Sequence, residues 1–187
     1  MITEGIVSFG LASNYKDKNL TPAQRDDETG RRFKVETPTV KIQPPGNSKV
    51  STLRNIKNVS IRFGLKFPYY LRSFACVYSE QLFTEFDSDA CLQINDVGEF
   101  EKRFRNSFES QYPDWTGYSG VVKYIDLQNP TKKYTQIEIL FLKDRKDYSA
   151  QGEFRMAIIP PEKAKLSKRA NVDLGSLQDI SEVILKP

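Results

Sequence analysis

Histidine is absent from all 187 residues. Without imidazole the chain cannot build a Ser-His-Asp or Cys-His relay, a histidine proton shuttle at neutral pH, or an ordinary histidine-ligated zinc or iron site. Cysteine is nearly as scarce: Cys76 and Cys91 are the only two, and they lack the CxxC spacing of a redox or zinc pair. Both lie in apolar stretches, FACVYS and ACLQI, where the expected state is a reduced core thiol. No run of 18 apolar residues occurs, so no membrane span is expected. The opening MITEGIVSFG has neither a basic leader nor a long apolar core, so the expected compartment is the cytoplasm. The glycines form neither GxGxxG nor GxxxxGK[ST], so no phosphate loop is expected.

What the chain does contain is aromatic. Twelve Phe and nine Tyr with one Trp stand in a 39% hydrophobic composition, enough to build a core rather than a disordered chain. The net charge of +4 would ease the approach of a polyanion without by itself predicting nucleic-acid binding. KLSKRA and KDRKD at 143 to 147 are short basic clusters of the kind that form solvated loops.

Alternation of apolar with polar residues dominates. Strands are expected at IVSFGLA (6–12), FKVETPTVKI (33–42), VSIRFG (59–64), within FPYYLRSFACVYS (67–79), and at ACLQI (90–94). Further strands are expected at GYSGVVKYIDL (117–127), TQIEILFL (135–142), EFRMAII (153–159) and SEVIL (181–185). Helix spacing is clearest at 96–110, where Val97, Phe100, Phe104 and Phe108 share one face behind a capping Asp96 or Asn95. A shorter helix is expected from Ser79 through SEQLFTEF, burying Leu82, Phe83 and Phe86, and a turn at SLQDI (176–180). The expected fold is a single α+β domain with a mostly antiparallel, sheet-rich core and one main covering helix. Residues 13–32 and 43–55 are polar loops, where a lid or a partner contact would fall.

The most suggestive chemistry is in SAQGEFRMAII. On a strand, Gln151 and Glu153 point to one face and Phe154 to the other. A carboxylate so held can stabilise an oxocarbenium ion or hydrogen-bond a ribose hydroxyl without histidine. The plainer reading is a solvated Glu153–Arg155 pair on an edge strand. The acids of RDDE (25–28) and DSD (87–89) suit solvated helix caps better than a magnesium site, and no metal is expected.

The order of an arginine loop in RDDETG, a serine closing FACVYS, and a late QGE before FRMAI resembles the Arg, Ser, Gln-x-Glu layout of ADP-ribosyltransferases. AQGEFRMAI in particular is similar to the late strand of bacterial toxins that ADP-ribosylate DNA. The resemblance implies a split, sheet-rich fold that binds NAD. Arg25 would lie near the dinucleotide phosphates, Ser79 would order the cleft, Glu153 would hold the nicotinamide ribose and Gln151 would face the acceptor. In that family the first Arg ends a strand, whereas Arg25 sits in polar sequence. The overall layout also resembles uncharacterised bacterial and phage proteins.

A second reading is a non-catalytic module for nucleic acid or protein, for example in phage–host conflict. Lys66, Phe67, Tyr69, Tyr70 and Arg72 interleave aromatic with basic groups, and Tyr112, Trp115 and Tyr118 cluster near a turn. On an exposed sheet face such residues stack on bases and hold phosphates. In a buried sheet they are core.

Overall fold

Three phenylalanines at helical spacing organise the main core. A computed structural model describes residues 4–21, 24, 26, 28–35, 39–42, 49–54, 59–127 and 134–187. Its strands are β1 (Ile6–Leu11), β2 (Gly30–Val35), β3 (Thr39–Ile42), β4 (Ser51–Arg54), β5 (Val59–Gly64), β6 (Tyr70–Ala75) and β7 (Ala90–Ile94). They continue with β8 (Thr116–Val121), β9 (Lys123–Ile125), β10 (Leu142–Asp144), β11 (Glu153–Ile159), β12 (Arg169–Asp173) and β13 (Ser181–Leu185). The helices are α1 (Gln81–Glu85), α2 (Val97–Gln111), α3 (Gln136–Leu140) and α4 (Arg145–Tyr148). The fold is α+β. Its contacts divide the chain into two compact units: residues 1–29, 66–122 and 150–187 form the first, and 30–65 with 123–149 the second.

In the first unit five strands make an antiparallel sheet in the order β12-β1-β6-β11-β8. Helix α2 starts where Asp96 accepts a hydrogen bond from the Glu99 amide at 2.9 Å, satisfying one of the amides a helix leaves open at its start. It buries Phe100, Phe104 and Phe108 against the sheet, Phe104 meeting Phe9 at 5.6 Å between ring centres and Phe100 meeting Phe74 edge-on at 5.7 Å. Val97, expected on that face, is 59% exposed because it stands in the first turn, ahead of the sheet contact. Strand alternation sends Phe154, Met156 and Ile158 of β11 into this core and leaves Glu153, Arg155 and Ala157 to the other face. A separate antiparallel pair, β7 with β13, completes the unit. Cys76 is exposed and Cys91 half-buried, both reduced, so Cys76 is not the core thiol expected: it follows the last residue of β6, where the strand ends.

The second unit corrects three expectations, the first being the polar loop 43–55, in which residues 51–54 form β4 against β3. TQIEILFL is not a strand: residues 136–140 are helix α3, and the strand beyond it, β10, pairs in parallel with β9. The reason is a reciprocal cap. The Thr135 hydroxyl accepts from the Glu138 amide at 3.2 Å, and the Glu138 carboxylate accepts from the Thr135 amide at 2.8 Å. Ile139 and Leu142 then close a small core on Phe33 of β2, with Tyr134 stacked on Phe33 at 6.1 Å. KDRKD, expected as a solvated loop, instead ends β10 and forms α4, and Lys143 is buried beside the ring of Tyr148, 4.6 Å from its centre.

Candidate functional site

Glu153 opens β11, an interior strand between β6 and β8, and is 4% exposed. It is not the solvated edge pair of the plainer reading. Two residues on, and so on the same face, Arg155 is fully buried and donates from Nε to Glu153 Oε1 at 2.7 Å. Its Nη1 and Nη2 reach both oxygens of Glu28 at 2.9 and 3.0 Å, a two-pronged pair. Ser73, opposite Arg155 on β6, donates its hydroxyl to Glu153 Oε1. Burial by itself would lower the Arg155 pKa. The facing Glu28 and Glu153 carboxylates overcome that and hold it above the ordinary arginine value. Glu28 comes from the polar stretch 13–32, tied down by the Tyr69 hydroxyl on its backbone carbonyl. This is a desolvated ion network that fastens a connecting segment to the sheet.

Of the other residues the resemblance assigned, Ser79 lies in exposed chain beyond β6, its hydroxyl accepting from the Gln81 amide at 3.3 Å. Gln151 ends a short 3-10 turn before β11. The Ala75 end of β6 pairs with the Glu153 end of β11, so Ser79 and Gln151 follow and precede the same end of one ladder. The Glu153 side chain turns instead along the sheet face to Ser73 and Arg155. Arg25 lies outside the described residues. Among the described residues no group of three or more potential metal ligands forms, and no helix is long and apolar enough to cross a membrane.

The aromatic candidates are mostly core. Tyr69 and Tyr70 are buried, and Trp115 packs on Tyr70 and Tyr112 at 5.5 and 4.8 Å between ring centres. Arg72 is half-buried. LKFPYYLR therefore does not offer a stacking platform for bases.

The surface with a distinct chemical character is in the second unit. There, among the described residues, β2 pairs with β5 and β3 with β4, each pair a two-stranded ribbon. Six cross-strand pairs run from Gly30↔Gly64 to Val35↔Val59, and four from Thr39↔Arg54 to Ile42↔Ser51. At about 3.3 Å per residue these ladders amount to roughly 20 and 13 Å of paired strand. Residues 30–65 contain eight Lys and Arg but one acid, Glu36. With 123–149 the second unit holds 14 basic and five acidic residues, a net +9, so the first unit, with 14 basic and 19 acidic, carries −5. Arg32 and Arg62 stand directly opposite one another across the ribbon, both exposed, as are Lys49 and Arg54. Like charges set opposite on a ribbon destabilise it. The mean charge of the chain conceals this segregation, although the run RRFK…K…K…R…K…R is visible in the letters.

No family model, no curated protein and no solved structure matches the chain.

Proposed function

We propose that the protein is a non-catalytic nucleic-acid-binding module whose basic β-ribbon lies against the phosphate backbone. One observation carries the reading: positive charge is concentrated in a unit built around two-stranded ribbons, where Arg32, Lys49, Arg54 and Arg62 are exposed. A two-stranded ribbon fits the major groove of a DNA duplex, and Lys and Arg there release condensed counterions when they meet phosphate. The ADP-ribosyl-transfer reading, with NAD as cofactor, needs a carboxylate open to a ribose. Glu153 is almost wholly buried and accepts from Arg155 and Ser73 on one oxygen, which favours the binding module.

The test is fluorescence anisotropy of a labelled DNA duplex titrated with protein at salt between about 50 and 200 mM. Affinity should fall linearly with salt on logarithmic axes, and Arg32→Ser with Arg54→Ser should reduce the slope by about 0.9 for each phosphate that is no longer neutralised. A double variant that binds with wild-type affinity and slope would refute the ribbon. Binding of an acidic protein but no duplex would refute nucleic acid as the partner.

A further inference from the structure

The five-stranded sheet parts between two of its strands. β1 pairs with β12 along five residues, Ile6 to Gly10, but with β6 at Gly10↔Leu71 and Leu11↔Tyr70 alone. Beyond that point β6, from Arg72 to Ala75, runs without a β1 partner although its other edge pairs with β11 throughout. The close packing that holds the two strands together at Gly10 is specific: Tyr15 lies across the glycine, where an added Cβ would come within 3.0 Å of its hydroxyl, and that hydroxyl donates to the Leu71 carbonyl at 3.1 Å. From there the strands diverge and leave a cavity of about 100 Å³.

Its lining is chemically divided. Ile6, Leu92 and Phe100, from β1, β7 and α2, belong to an apolar wall, while the polar lining consists of Arg72, Arg169 and Ser8. Among the described residues no carboxylate lines the cavity. Arg169 donates to the Ser8 hydroxyl at 3.2 Å. The guanidinium of Arg72 makes no hydrogen bond to the described residues and rests near the ring of Phe74, 5.8 Å from its centre. Burial lowers the Arg72 pKa, and the charge of Arg169 lowers it further against the opposing effect of Tyr15. Two guanidiniums facing one partly dehydrated space, with no acid among the lining groups, is an arrangement that an anion would stabilise.

We propose that this gap is a binding site for a short-chain aliphatic carboxylate, its carboxylate held by Arg72 and Arg169 and its alkyl end against the apolar wall. Size and lining together select this class. A dinucleotide needs a pocket of about 300 Å³ or more, whereas a dry cavity of roughly 150 Å³ accommodates a benzene ring. At two-thirds of that volume the space here suits about four heavy atoms, the carbon chain of butyrate, with the carboxylate oxygens at the exposed Arg169. Inorganic phosphate is small enough but would press its remaining oxygens against hydrocarbon, and a short alcohol would leave both guanidiniums unpaired. This site lies within the first unit and does not depend on the ribbon.

The test is an amide NMR titration of the intact chain with butyrate, inorganic phosphate and n-butanol in parallel. Butyrate should produce saturable shifts of the Ser8, Arg72 and Arg169 amides, lost in Arg72→Met and weakened about tenfold or more in Arg169→Gln, the exposed partner whose replacement spares the core. Phosphate and n-butanol should leave those amides unshifted. The proposal is overturned if butyrate gives no saturable shift, if phosphate binds the same amides more tightly, or if Arg169→Gln binds butyrate as the wild type does. That last comparison decides the matter even where Arg72→Met fails to fold.

Discussion

Replacing Arg155 with methionine removes the cation from a site where two carboxylates have already given up their water. Glu28 is 5% and Glu153 4% exposed, and Arg155 donates three of the hydrogen bonds that compensate them. Methionine fills much of the same volume, so the loss measures charge and hydrogen bonding rather than a void. Removing one partner of a buried ion pair typically costs about 3–5 kcal/mol. In a chain of this length that lowers Tm by roughly 6–20 °C, taking about 2–4 °C per kcal/mol. Glu153→Gln should cost less, about 1–3 kcal/mol, because the Arg155–Glu28 fork survives. Replacing all three members with apolar residues of similar volume should restore most of the loss, since burying the ions is itself unfavourable. Urea unfolding followed by tryptophan fluorescence is the suitable assay: Trp115 is the single tryptophan and belongs to the first unit, so its signal reports the unit that holds the network. A loss under about 1 kcal/mol for Arg155→Met would refute the reasoning, because an exposed ion pair is worth no more than that.

Gly5 has φ +56, and a Cβ there would stand 1.5 Å from the Gly175 carbonyl oxygen, so Gly5→Ala should cost on the order of 3 kcal/mol in the same urea assay. Arg103 hydrogen-bonds Glu99 and Asp179, and these bonds hold both carboxyl pKa values below their ordinary range. A depressed folded pKa gives stability that is present above the unfolded value of about 4 and lost as pH falls through the folded one. Arg103→Gln should therefore flatten the decline of the urea midpoint below about pH 4, and an unchanged acid limb would refute the linkage.

The main core was legible because its signals are local and repeated. Phe100, Phe104 and Phe108 are spaced for one helical face, Asp96 precedes them as a cap, and EFRMAII, VSIRFG and ACLQI are strands at the bounds their alternation suggests. TQIEILFL misleads because β-branched and aromatic residues crowd a short segment, while its conformation is decided by the T-x-x-E cap. β12 escapes for the opposite reason: RANVD has little strand propensity, and its two buried residues, Ala170 and Val172, gain their place by pairing with Phe9 and Val7. The Gln151–Glu153 step was visible, but its surroundings were not. Alternation says which face Glu153 takes, whereas the arrival of Glu28 from 127 residues before Arg155 is a tertiary event with no local signature.

Charge was the most deceptive quantity in the chain. The net +4 reads as mild, yet it is the sum of +9 on one unit and −5 on the other. A polyanion responds to charge within about a Debye length, some 8 Å at physiological salt, and not to the sum over 187 residues. Over that distance the ribbon presents Arg32 beside Arg62, with Glu36 the one acid anywhere in residues 30–65. On the proposed reading, a polyanion laid along the ribbon would bring its phosphates to Arg32 and Arg62 together. On the same reading, segregated charge would strengthen the encounter at the ribbon as an even distribution of the same residues could not.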